Sequence, residues 1–472
     1  MATIQSAFSL ISSALEADQS ALNIVANNVA NANTTGYTRQ VPNWQEGAPA
    51  EISGARYGTG VRESGPASVR DRVLEERVAQ QQQAASASSA RQNALEELEA
   101  LFTPNSGSPA SAAGDIGSDI TGFFNSFAAL ESAPTDNALR QQVLSAAAML
   151  AGDISGAAAN LEEQRSALDQ QAAAMTDQVN ALTTSIAQLN VEIQSTSPDS
   201  DAGVLEDQRQ QDLKKLSELI GFSQVSTENN GITITTGSGD LLVSGGSSYR
   251  LTTGMVSGET AFFVGTTDVT SQLAVGGALG GLLTVRDRDI PEVMAELDQL
   301  AYGIATSVNA ANSSGTDLNG ATGTAAAPHY IFGQPTAVTG SSAAMSVLMT
   351  DPNEIAAAGL GQGTGDNSNA VVLAGLARQG NVAGKTPSSF YSSFVTMLGS
   401  KGAQAQIEST AQSASLTQAQ TQRDSLSAVN LNDEAALMQQ IERSYQAASQ
   451  VFNILNSIMT SALNLGIQSA VS

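Results

Sequence analysis

Apolar residues recur along this chain with two different periods. Near the start, Ile4, Phe8, Ile11, Leu15, Leu22, Val25 and Val29 follow a 4-3 heptad rhythm, with one position missing at Asp18. Leu437, Ile441, Ser444, Ala448, Val451, Leu455, Ile458, Ala462 and Leu465 repeat the rhythm at the other end, with Met438, Tyr445, Phe452 and Met459 beside them. Between them, Ile154, Leu161, Leu168, Met175, Leu182 and Leu189 are spaced by sevens, and Val179, Ile186 and Ile193 interleave. This is the strongest coiled-coil signal in the chain, and it spans roughly 58 Å. Helical spacing also covers about 70–101, 120–150, 204–220, 291–311 and 388–428.

Period two appears in 225–275. Ile232 and Ile234 flank a threonine, Leu241 to Val243 and Phe262 to Val264 are short apolar runs, and Asn230-Gly231 and Gly245-Gly246 are hairpin-turn dipeptides. The stretch 313–367 is rich in Gly, Ser, Thr and Ala and holds a strand candidate at Met345 to Met349. Asp351-Pro352-Asn353-Glu354 reads as a helix N-cap with Pro at N1 and Glu at N3. Ser106 to Gly117 and the region of Pro198 read as helix-ending loops. The pattern predicts a mainly α fold with a small inserted β domain. A lone helix about 38 Å long with one apolar stripe is marginal in water, so each end needs a partner, and the other end is the obvious one.

Composition narrows the chemistry. Of 472 residues, 20 are Lys or Arg and 45 are Asp or Glu, a net charge of −25. Such a chain repels phosphate backbones and anionic bilayers, so neither nucleic acid nor membrane is expected as a partner. No cysteine is present, which excludes disulfides, thiolate nucleophiles and Cys/His zinc sites. The one histidine, His329, falls in a Gly/Ala/Pro-rich stretch and reads as an exposed loop residue rather than a catalytic base. Met1 to Gln5 lacks the charged and apolar regions of a secretory signal. Glu96-Glu97 and Glu162-Glu163 fall on striped helices and read as solvated faces. Asp317-Leu318-Asn319-Gly320 echoes a calcium loop, but Ala326 stands where the bidentate Glu belongs. The Gly-rich 359–365 lacks the Lys-Ser/Thr of a phosphate loop. No catalytic, cofactor or metal residue is expected, and no enzyme.

One motif is more specific than its physics requires. Asn27-Asn28-Val29-Ala30-Asn31-Ala32-Asn33-Thr34-Thr35-Gly36-Tyr37-Thr38-Arg39 should end the first helix, because Asn and Gly tolerate left-handed backbone and bond their own main chain. Its spelling resembles the motif shared by flagellar rod, hook and hook-associated axial proteins, with Asn27, Asn28, Ala30, Asn31, Asn33, Thr34, Gly36 and Tyr37 carrying the match. Leu205 to Gly221, Gly277 to Arg286, Gly365 to Ala370 and Val429 to Ala435 are similar to further stretches of the hook-associated protein 1 (FlgK) family. The chain departs from that family at Ala428, Glu442 and Ser444.

The resemblance implies a discontinuous domain stack with the N- and C-terminal helices paired as a coiled coil. The expected division is 1–35 plus 430–472 for the terminal coiled coil, 36–224 plus 276–312 plus 366–429 for the long helices, and 225–275 plus 313–365 for a β-rich outer domain. It implies a secreted, extracellular structural part of the bacterial flagellum at the hook–filament junction, exported unfolded by a type III route. Implied partners are further copies in a helical ring or tube, the hook protein, a filament-side hook-associated protein and an export chaperone. The expected assembly residues are Phe8, Ile11, Leu15, Leu22 and Val25 against Leu437, Ile441, Val451, Leu455 and Ile458. A rod or hook subunit is the alternative. A peptidoglycan-degrading axial protein is a further one, weakened because Trp44 is the only tryptophan.

Overall fold

The computed structural model describes residues 2–34, 36–52, 55–102, 116–196, 202–256, 258–324 and 326–468. The loops expected at Ser106 to Gly117 and at Pro198 fall mostly outside the described residues. Every long helix predicted from spacing is present. They are α1 (Ala2–Asn31), α2 (Arg72–Phe102), α3 (Ile116–Ser132), α4 (Asn137–Ser195), α5 (Gly203–Leu219), α8 (Ile290–Ser314), α10 (Pro387–Ser427) and α11 (Leu431–Gln468). Short helices α6 (Thr270–Leu273), α7 (Gly277–Thr284) and α9 (Ser368–Gly375) complete the set, and a π-helical turn, Val285–Asp289, leads into α8.

The helices start where side chains meet their free N–H groups. Asp71 Oδ1 accepts from the Val73 N–H at 2.9 Å before α2, and Asp136 Oδ1 from the Ala138 N–H at 2.7 Å before α4. Asn430 Oδ1 accepts from the Asn432 N–H at 3.0 Å before α11, and Asp433 and Glu434 add negative charge to that first turn.

The chain divides into two compact units, one of Met1–Ala85, Thr176–Gly277 and Gln412–Ser472, the other of Ser86–Met175 and Ala278–Ala411. The second holds a large apolar core. α3 supplies Ile116, Ile120, Phe123, Phe127 and Leu130, a 4-3-4-3 stripe with no exposure at all. Phe123 packs on Phe332 at 5.4 Å between ring centroids, and Phe102 meets Phe394 edge-on at 4.9 Å. Ile154, Leu161 and Leu168 of the heptad stripe are buried in the same core.

Among the described residues, the strands all fall in the first unit. β5 (Ser223–Ser226), β6 (Ile232–Thr235), β7 (Leu241–Ser244) and β8 (Ser247–Ser248) form an antiparallel sheet, and β9 (Leu251–Val256), β10 (Glu259–Val264) and β11 (Thr267–Asp268) a second. Both lie in the predicted β insertion. Two asparagines of α4 hold their edges. Asn180 exchanges two 2.8 Å bonds with the Leu251 backbone, and the fully buried Asn190 bonds the Ile232 and Gly245 carbonyls at 2.9 and 3.0 Å. Arg209 donates to Asn190 Oδ1 at 3.0 Å and to the Asn230 carbonyl at 2.6 Å, and burial pulls its guanidinium down to about 10.

Two regions differ from expectation. Residues 36–69, assigned to the long helices, carry strands. β1 (Gln40–Glu46) pairs antiparallel with β4 (Val61–Ser68), and β2 (Ala50–Ile52) with β3 (Ala55–Tyr57). Pro42 stands opposite Pro66, which a two-stranded ribbon tolerates because both strands are edges. Residues 313–365, assigned with 225–275 to one β-rich domain, instead cluster with the second unit and make only isolated bridges, one of them Phe332 to Val347 inside the strand candidate region. Buried asparagines replace a ladder there. Asn309 bonds the Phe332 backbone, Asn312 bonds the His329 carbonyl and the Ala356 N–H, and Asn369 bonds the Ala311 and Ala356 carbonyls. Asp351 does cap, but only the single 3-10 turn Pro352–Glu354.

His329 is half-buried rather than exposed. It adopts φ 51°, with Nδ1 3.8 Å from Asp317. Asp317 itself closes a turn, accepting from the Asn319 and Ala321 N–H groups at 2.9 and 2.7 Å.

Candidate functional site

α1 and α11 run antiparallel along each other. Ala21, Val25 and Ile441 are buried together, with Leu22, Leu437 and Met438 packed around them. Towards the far end, Phe8 meets Phe452 edge-on at 5.2 Å. Ile11 is buried, and Phe8, Leu15 and Leu455 are half-buried. Val451 and Ile458 were expected on this seam. They are instead 46% and 48% exposed. At about 100° per residue, Phe452 lies only about 20° around the helix from the buried Ile441, whereas Val451 lies about 80° from it, so Phe452 takes the inward position.

A polar knot closes the end of this pair. Asn28 is fully buried one turn before α1 ends. Its Nδ2 donates to the Gln40 carbonyl at 2.7 Å and to Glu434 Oε2 at 3.0 Å, and its Oδ1 accepts from the Gln40 N–H at 3.0 Å and the Tyr37 hydroxyl at 2.9 Å. All four hydrogen-bonding positions of the amide group are therefore used. Glu434, also fully buried, takes its second bond from Arg39 Nε at 2.7 Å. The Arg39 N–H bonds the Ser427 carbonyl at 2.9 Å. One asparagine thus ties α1 to β1 and to the first turn of α11.

A second layer continues outward. Asp207 of α5 accepts from the Thr38 N–H at 3.1 Å and hydroxyl at 2.7 Å, and also from Arg70, which bonds Glu206 at 2.8 Å. Glu75 accepts from Gln210 at 3.0 Å and faces Arg423 at 3.7 Å; burial pushes its carboxyl above the usual range even so. Tyr37 is pushed up to about 12, first by burial and then by Asp207 and Glu434. Its hydroxyl stays protonated and donates.

The remaining motif residues shape the turn. Asn31 donates to the Asn27 carbonyl at 3.0 Å and accepts from the Thr34 hydroxyl at 3.2 Å. Gly36 has φ +81°, a left-handed backbone that favours glycine, and a Cβ there would also press on the Gln211 side chain at 3.0 Å. Asn27, Ala30, Asn33 and Thr34 are exposed. A cavity of about 330 Å³ opens beside the knot, lined by Asn33, Gly36, Tyr37, Gln211, Lys214 and Asp424 among others. Among the described residues, no group of three His, Asp or Glu side chains could hold a metal, and no helix is long and apolar enough to cross a membrane.

Of the motif residues expected from sequence, the fold brings Asn28 and Tyr37 into contact with the C-terminal part of the chain. Gln40, Arg70, Glu75 and Glu434 complete the knot and were not singled out for it. Glu434 and Asp207 fall within the stretches that carried the family resemblance. Their partners lie as far as 406 positions away, beyond any local pattern.

A chain whose ends pair as helices, with an asparagine-centred knot where they meet, is built as a discontinuous assembly protein. Comparison with known proteins gives the particular likeness. The profile described as the flagellar hook-associated protein FlgK helical domain matches residues 106–326, and the flagella basal body rod protein profile matches 11–38. Flagellar hook-associated protein 1 of Escherichia coli is 26% identical, covering 96% of this chain and 98% of that protein. Its namesake from Bacillus subtilis is 24% identical, covering 96% of each. The solved flagellar hook junction protein FlgK from Burkholderia pseudomallei shares the fold at a TM-score of 0.64 and 18% identity, covering 74% of this chain and all of that one. Over nearly its whole length the chain is thus similar to the flagellar hook-associated protein 1 (FlgK) family.

Proposed function

We propose that the protein is a structural axial component of the bacterial flagellum that forms the junction between hook and filament. It would act by self-assembly through α1 and α11 in a ring or tube, between the hook protein and a filament-side hook-associated protein. The observation that carries this reading is the paired ends themselves. They are locked at one end by Asn28 and Glu434, yet leave Val451, Ile454 and Ile458 of α11 uncovered. Such a surface on a helix already paired on its other side is made to be covered by neighbours. On the same reading, the terminal division 1–35 plus 430–472 is the assembly element, and the chain reaches the growing tip by unfolded export with the help of a chaperone. It performs no catalysis.

A strain lacking the protein should keep intact hooks and shed unpolymerised flagellin into the medium. Absent hooks would instead place it in the rod or hook. Removal of residues 1–30 should leave the second unit folded and abolish incorporation; continued filament growth would remove the terminal helix from the assembly role. A zymogram on peptidoglycan should show no clearing.

A further inference from the structure

Asp18 occupies the gap in the apolar stripe of α1. It is only 8% exposed, and its Oδ2 is sealed from solvent without a hydrogen-bond partner among the described residues. An unpaired buried carboxylate oxygen weakens the structure that holds it. The paired helices contain one cation with which to answer it. α1 has no Lys or Arg, and α11 has only Arg443.

The two residues stand at the same level. Asp18 is midway between Phe8 and Asn28 in α1, and Arg443 is midway between their partners Phe452 and Glu434 in α11. They cannot meet within one copy. Arg443 follows the seam residue Ile441 by two positions, about 200° around the helix. It is exposed, donates to the Gln439 carbonyl of its own helix at 3.1 Å, and makes no ion pair among the described residues. Ile454 lies three turns further along the same outward face and is 59% exposed.

We propose that Arg443 of one copy docks on Asp18 of the next when copies assemble side by side, an inference that rests on the assembly reading above. The uncovered face of α11, with Arg443 at one level and Ile454 above it, lies against the neighbouring copy's α1 beside the stripe gap. Because donor and acceptor share one level, copies arranged around an axis with little axial shift bring them together. A slip of one helical turn, about 5.4 Å, leaves both unpaired. The pair therefore sets register, the best-attested use of a buried charge, and the apolar face supplies affinity.

The test compares D18R, R443D, the double reversal and D18A in a strain lacking its own copy. Chain retained on purified hooks is measured against chain secreted to the medium. Each single reversal should lower incorporation at least tenfold, and the double reversal should return it to within twofold. D18A should slow proteolysis of the free chain's ends while lowering incorporation, since it removes an unpaired charge from the monomer and a partner from the assembly. Circular dichroism of the secreted chains checks folding. Because the chain has no cysteine, co-expressed D18C and R443C copies should be joined by a short bismaleimide only on hooks. Normal incorporation of D18R, no rescue in the double reversal, D18A improving both readouts, a link within one free copy or a link to another protein would each overturn the pairing. Absence of the unaltered chain from hooks would instead overturn the assembly reading beneath it.

Discussion

The core around α3 and the seam between α1 and α11 are both striped helices packed on helices, yet they are finished to different degrees. Around α3, five stripe residues have no exposure and Phe123 touches three other phenylalanine rings. Along the seam, only a small cluster centred on Val25 and Ile441 is closed, a carboxylate interrupts the stripe, and Val451, Ile454 and Ile458 face outward. The difference is one of completeness. The core has all its partners within the chain, whereas the seam is closed by one polar knot and leaves apolar surface for others.

Substitutions can break this comparison. The largest expected effect is in the core, where Phe123→Ala should cost about 3–5 kcal/mol by denaturant unfolding. Asn28→Ala should follow at about 2–3 kcal/mol, because it strands the Gln40 backbone and one bond of Glu434. Its loss should appear as faster proteolysis of the ends, with unfolding of the 86–175 plus 278–411 unit unchanged. A shifted core transition would show that the knot supports more than the seam. Ile441→Val should cost about 0.5–1.5 kcal/mol, read by hydrogen exchange in α1 and α11.

Tyr37 gives a finer probe. Burial pushes its hydroxyl from the ordinary tyrosine value near 10 up to about 12, so its contribution is complete below about pH 10 and fades as pH rises through about 12. Titrating the phenolate absorbance of the chain against Tyr37→Phe should show this late step disappear. A Tyr37 that ionises like a free phenol would mean the knot is open in solution. The smallest stability effect is expected for Ile458→Ser, within about 0.5 kcal/mol in the free chain, but with loss of incorporation on hooks. A large destabilisation of the monomer would show that Ile458 packs within its own copy.

Much of this fold was legible because periodicity survives in local sequence. The stripe Ile154 to Ile193 lies within one helix, α4, and the 4-3 spacing from Leu437 lies within α11. Hairpin dipeptides located β5 to β8, and alternating apolar residues β9 and β10. The ribbons at 40–68 were missed because prolines and glycines outweigh any alternation there. The loop 313–365 was misread because its backbone is satisfied by Asn309, Asn312 and Asn369 rather than by a ladder.

The sequence alone determined which segments are helical, that the ends need partners, and that the asparagine motif marks an axial protein. Spacing carries the helical part of that information because each residue's neighbours at three, four and seven positions are fixed by helix geometry, whereas the axial reading came from the motif's resemblance to a known family. Only the tertiary structure decided which motif residue matters most to the join. Asn28 reads like Asn27, Asn31 and Asn33 in the motif. It alone is buried, because only its position on α1 faces Gln40 and Glu434 at once. The same holds for Val451 and Phe452, adjacent in sequence and separated by a rotation of about 100°. Which of them meets Phe8 depends on which face of α11 packs on α1, a property of the packed helices rather than of either residue.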